Sequence, residues 1–210
     1  MWERGLMFIW FDVSELYPRS RYLLTYRHVT SVGQSLYRLS CAMLSLRLVQ
    51  LLGRLSPSMC AAVFNWMGYG GTDFNVLIDN DLTLGAMCAM AAIKAYIDFR
   101  RRGFNIKAVR YETLIARPLE TCEQLMEACG LPVSLAQDIV RGMQDDSQQK
   151  TAISRTALGQ FRDPEVTHEI TESLNKLAIK FGLPPVNIEC FLQGTLSQEE
   201  FASNVLTVTN

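Results

Sequence analysis

The sequence lacks the raw material for several chemistries. Only two histidines occur in 210 residues, His28 and His168, and none of the six cysteines forms a CxxC pair. A zinc site needs clustered Cys and His ligands, so no metal is expected. No GxxxxGK[ST] is present, which argues against a P-loop nucleotide or sugar kinase. The GYGG at 68–71 is too short for such a loop and reads as a turn. The longest apolar run, Leu84 to Ile93, ends at Lys94, short of the roughly 20 residues that cross a bilayer. Formal net charge is −1, so no overall basic field points to nucleic acid.

The bulk composition is that of a globular protein, with 49% hydrophobic and 20% charged residues. Cysteines such as Cys88 in GAMCAMAA read as buried thiols of a reducing compartment. N-x-Ser/Thr acceptors are lacking and Leu6 to Phe11 is too short for a secretory h-region. Localisation stays open, with the cytoplasm favoured over the Golgi lumen.

The informative stretch is Ser20 to Tyr37. Arg21 to Tyr26 reads as a short buried strand. From Val29 onward Val32, Leu36, Leu39 and Met43 recur at helical steps, so one helix is expected from about Thr30 to Leu55. Arg27 then stands at a strand-to-helix turn, where a parallel sheet and a helix N-terminus favour an anion. Ser31 and Ser35 are one turn apart on the same helix face. An arginine fork and serine hydroxyls suit phosphate oxygens; the alternative for Arg27 is a solvated or ion-paired loop residue.

Farther along, a helix from Asp81-Leu82 to the Arg100–Arg102 run precedes a strand Asn105–Tyr111, with Tyr111 at its carboxyl end. The strand, helical crossover and second strand imply a parallel pair. Further helices are expected at Leu119–Cys129, stopped by Gly130-Leu131-Pro132, at Ser134–Gln144, and from Asp163-Pro164 to Phe181. Asp145–Gly159 is polar and irregular, a surface loop or a lid. Met1 to Tyr17 reads as an amphipathic segment, and the tail from Asn187 as peripheral.

Two motifs, in this order, resemble the sulfotransferase family. YLLTYRHVTSVGQSL, Tyr22 to Leu36, is similar to the family segment in which an arginine and a serine eight residues later hold the 3′-phosphate of 3′-phosphoadenosine 5′-phosphosulfate. Arg27 and Ser35 have that spacing. VRYETLIARP, Val109 to Pro118, is similar to the family's RYEDL strand and turn, and Gly130-Leu131-Pro132 matches the stop that follows it. The resemblance covers about Ser14 to Phe181.

It implies an α/β chain: an incomplete three-layer P-loop-like fold with a small parallel sheet and predominantly helical surroundings. Residues 1–185 would be the C-terminal part of the domain and 186–210 a tail. Tyr111 would approach the adenine, while Lys150, Ser154 and Arg155 would lie where relatives supply further phosphate contacts, though the Arg-Lys-Gly signature expected there is missing. The lysine loop that cradles the 5′-phosphosulfate and a catalytic base are not found ahead of Arg27. His28 adjoins the 3′-phosphate end, His168 sits in the last helix, and no catalytic residue is assigned.

The expected function is sulfuryl transfer from the nucleotide donor to an unknown hydroxyl or amine acceptor, with this chain supplying the 3′-phosphate and adenine half-site and inactive by itself. The alternative is a non-catalytic α/β module for protein–protein interaction, whose unpaired sheet edge predicts self-association.

Overall fold

The computed structural model describes residues 21–56, 58–59, 61–62, 82–145, 151, 154–186, 191–196 and 205–206. The expectations for Met1–Tyr17, for the glycine turn at 68–71 and for Lys150 lie outside them. The described chain is mostly helical with a small parallel sheet.

Strand β1 (Leu23–Tyr26) leads into helix α1 (Val29–Ala42). The single helix expected to Leu55 is instead two, because Met43 adopts an extended backbone with φ −124° and ψ 109°; α2 (Leu44–Leu55) follows. Helix α3 (Thr83–Arg101) ends in the arginine run, and Gly103, at φ 88°, supplies the left-handed turn beyond it.

Strand β2 (Lys107–Arg110) pairs with β1 in parallel, Leu23 opposite Lys107 and Tyr26 opposite Arg110. Both carboxyl ends therefore open at one edge, where Arg27 follows Tyr26 and Tyr111 follows Arg110. Tyr111 does not close the strand as expected: it begins helix α4 (Tyr111–Ala116). Pro118 then occupies the first turn of α5 (Pro118–Cys129), a position where a missing N–H costs nothing. Gly130 stops α5 at φ 68°.

A 3₁₀ turn over Val133–Leu135 leads into α6 (Ala136–Gly142), and the stretch expected to be irregular ends in α7 (Arg155–Gly159). Helix α8 (His168–Lys180) starts later than Asp163-Pro164 because Thr167 is its cap, accepting from the Ile170 N–H at 3.3 Å. Asp163 instead pairs with Arg38 of α1 at 3.0 Å.

One described part of the tail differs from the expectation. Strand β3 (Phe191–Leu192), which pairs with β4 (Val205–Leu206), is buried rather than peripheral. Immediately after it the chain reaches β2: the Ala108 N–H donates to Gly194 O at 3.1 Å and the Leu196 N–H to Ala108 O at 2.8 Å. Thr195 thereby forms a parallel bridge with Ala108, on the side of β2 away from β1. Backbone groups that a free edge would leave to solvent are satisfied there.

Two apolar clusters form most of the core. Leu84, Met87 and Met90 of α3 pack with Leu174, Leu177 and Phe181 at the α8 end of the molecule. Tyr26, Tyr96, Phe99, Ile106, Ala108 and Leu192 fill the second, against the sheet itself. A smaller cluster of Cys122, Met126 and Ala136 joins α5 to α6.

Candidate anion site at the strand ends

The turn from β1 into α1 aims a guanidinium across the first turns of the helix. Arg27 Nη1 donates to Ser35 Oγ at 3.0 Å, closing the eight-residue spacing read from the sequence. The hydroxyl oxygen is the acceptor in that bond, which leaves the Ser35 O–H able to donate outward. The Arg27 guanidinium carbon also lies 4.9 Å from the centre of the Tyr111 ring, a cation–π contact that orients the fork. Arg27 is 36% exposed at its side chain and Tyr111 38%, so both are open to a ligand.

Arg27 Nε is shielded from solvent and has no hydrogen-bond acceptor. The nearest carboxylate oxygen, Glu112 Oε1, is 4.0 Å away, too far for a hydrogen bond. A buried donor without an acceptor is costly, and the nearest counter-charge to this one is that Glu112 carboxylate.

Helix α1 adds to the field. Its cap residue, His28, makes no side-chain bond to the first-turn N–H groups, and no acidic residue occupies that turn. The positive end of the helix dipole therefore stands beside Arg27 without an intrahelical counter-charge. The His28 ring nitrogen Nδ1 is engaged with Thr30 Oγ1 at 2.7 Å. Ser31, half-buried, lies one turn before Ser35 on the same face of α1.

Glu112, which the sequence reading passed over, holds the group together. Its carboxylate accepts from the His28 backbone N–H at 2.9 Å and from Arg110 Nε at 3.2 Å. Arg110 is only 7% exposed and also stacks over Phe191, 4.8 Å from the ring centre. The strand ends, the α1 start and the returning tail are thus tied through one carboxylate. Two guanidinium groups and one carboxylate leave the trio of Arg27, Arg110 and Glu112 with one positive charge. The signal for Glu112 was available, since a carboxylate two residues beyond a strand-terminal arginine can reach back to it.

The other expected residues have their own partners. Ser154, buried, caps α7 by accepting from the Ala157 N–H at 3.1 Å, and Arg155 donates to Met143 O at 3.2 Å. Helix α7 packs against α1. His168, at the start of α8, has an 88% exposed side chain 4.0 Å from Glu172.

Beside the group is a cavity of about 70 Å³, lined by Arg27, His28 and Arg110 and by apolar residues including Met90, Ile93 and Leu192. Tyr26, at its wall, bonds Thr195 Oγ1 at 3.0 Å, and burial pushes its phenol above the ordinary value. Comparison of the chain with protein-family models, curated proteins and solved structures returns no match.

Proposed function

We propose that the chain is a sulfotransferase-like protein whose strand-end site takes the 3′-phosphate and adenine of 3′-phosphoadenosine 5′-phosphosulfate. In this reading its sheet and helices are part of a three-layer P-loop-like fold. The observation that carries the proposal is the Arg27–Ser35 hydrogen bond of 3.0 Å, with Arg27 held over Tyr111.

The chemistry of each group supports that assignment. The guanidinium offers a planar pair of donors to phosphate oxygens, the Ser35 hydroxyl one more, and the α1 start a favourable dipole. Tyr111 presents an aromatic face on which a purine stacks. Sulfuryl transfer itself resembles phosphoryl transfer in needing positioned charge and a base at the acceptor. No residue is assigned to those two tasks, so the chain by itself is proposed to bind the donor without transferring its sulfate.

Isothermal titration with adenosine 3′,5′-bisphosphate, set against adenosine 5′-monophosphate, tests this reading. The bisphosphate is expected to bind at least about tenfold more tightly, the effect of one charge-assisted contact to the 3′-phosphate. Equal affinity for the two nucleotides would remove the 3′-phosphate assignment.

A second reading, a non-catalytic interaction module, is favoured by one observation: among the described residues no strand pairs with the edge of β1 opposite β2. Such an edge is a template for another chain.

A further inference from the structure

The acidic and basic residues of this chain are segregated in a way that α2 makes visible. Residues 21–72 hold five arginines and not one aspartate or glutamate, although the whole chain has a formal net charge of −1. Helix α2 lies within that stretch. Its sequence, LSLRLVQLLGRL, has an apolar side that the fold leaves uncovered: Leu48 is 55% exposed, Leu51 55% and Leu55 66%. At the helical step these three fall within an arc of about 60°, and Arg47 and Arg54, both exposed, lie along one border of that arc. Met43 and Met59, each 39% exposed, continue the apolar character before and after the helix.

We propose that α2 is an interfacial helix that lies on an anionic phospholipid surface. A leucine stripe bordered by arginines is the arrangement of helices that rest in the headgroup region, the leucines entering the acyl boundary and the long cationic side chains reaching the phosphates. Pairing α2 with a second copy would bring together two stretches that each carry five arginines and no carboxylate. At 12 residues α2 is itself too short to cross a bilayer, which needs roughly 20, so the contact proposed for it is at the surface. The inference stands on α2 and is independent of the strand-end site.

Co-sedimentation of the full chain with phosphatidylcholine vesicles, with and without phosphatidylserine, tests it. The chain is expected to pellet with the serine-containing vesicles and to be released as salt shortens the screening length. Arg47→Gln with Arg54→Gln should weaken partitioning roughly thirtyfold, about fivefold for each charge. Leu48→Ser with Leu51→Ser and Leu55→Ser should abolish it, with unchanged far-ultraviolet circular dichroism because these side chains are exposed. Should the serine variant lose helicity, the arginine variant and the salt series carry the test. Failure to pellet, equal pelleting with neutral vesicles, or indifference to the arginine changes overturns the proposal. A concentration-dependent dimer that the serine variant dissolves overturns it too, and gives the stripe to a second copy.

Discussion

Gly33 and Gly85 meet where α1 crosses α3, so close that a Cβ on Gly85 would stand 2.8 Å from Gly33 Cα and 3.0 Å from the Val32 carbonyl oxygen. A Cβ on Gly33 would meet the Leu82 carbonyl oxygen at 2.9 Å. The contact is backbone against backbone, and it sets α1 at the height where Ser35 receives Arg27.

Gly85→Ala is therefore expected to destabilise the protein although alanine is the better helix former. Its propensity gain of about 1 kcal/mol is outweighed by overpacking of about 1–3 kcal/mol, which moves α1 away from α3. Urea denaturation checks the sign. Nucleotide affinity should fall with it, because the displaced helix carries Ser35.

Glu112→Ala removes the acceptor of both the His28 N–H and the buried Arg110 Nε. A loss of about 2 kcal/mol is expected, reduced from the cost of a fully buried pair because Glu112 is itself partly open to water. Glu112→Gln keeps one acceptor and removes the negative charge beside Arg27, so it should be milder in denaturation and should tighten anion binding. A glutamine variant that binds anions more weakly than the parent would contradict the placement of the site.

Alkaline pH tests the docking of the tail. Burial raises the phenol pKa of Tyr26, opposed by the bond with Thr195, and burial raises that of Tyr96 as well. Groups that hold their proton longer when folded stabilise the fold fully below the unfolded tyrosine value near 10. Stability should then fall as pH rises above about 10 toward the folded values. Urea midpoints measured between about pH 8 and 11 should decline over that upper range, and Tyr26→Phe should flatten the decline while costing about 1 kcal/mol at neutral pH.

Local period and turn chemistry made part of this legible. The change from a strand to a helical pattern at Arg27 marked the turn from β1 into α1, and the single-turn relation of Ser31 and Ser35 gave the helix face. Gly130 stops α5 as its sequence announces. The break at Met43 was hidden because the apolar rhythm runs straight through it from Leu39 into α2. Tyr111 looked like a strand end, since no glycine or proline separates it from β2, yet it opens α4. The role of residues 191–196 was least readable: they have no periodic pattern, and bonds to Ala108 and Tyr26, far away in sequence, hold them. Such long-range pairing leaves no local mark.

The most direct measurement is the affinity for adenosine 3′,5′-bisphosphate of the parent, Arg27→Ala, Ser35→Ala and the double variant, with circular dichroism to establish that each is folded. Arg27→Ala should weaken binding by about 10–100-fold, the worth of a charge-assisted contact, and Ser35→Ala by about fivefold. Because Arg27 donates to Ser35 at 3.0 Å, the double variant should lose less than the product of the two. Folded variants that bind the bisphosphate as tightly as the parent would contradict the account.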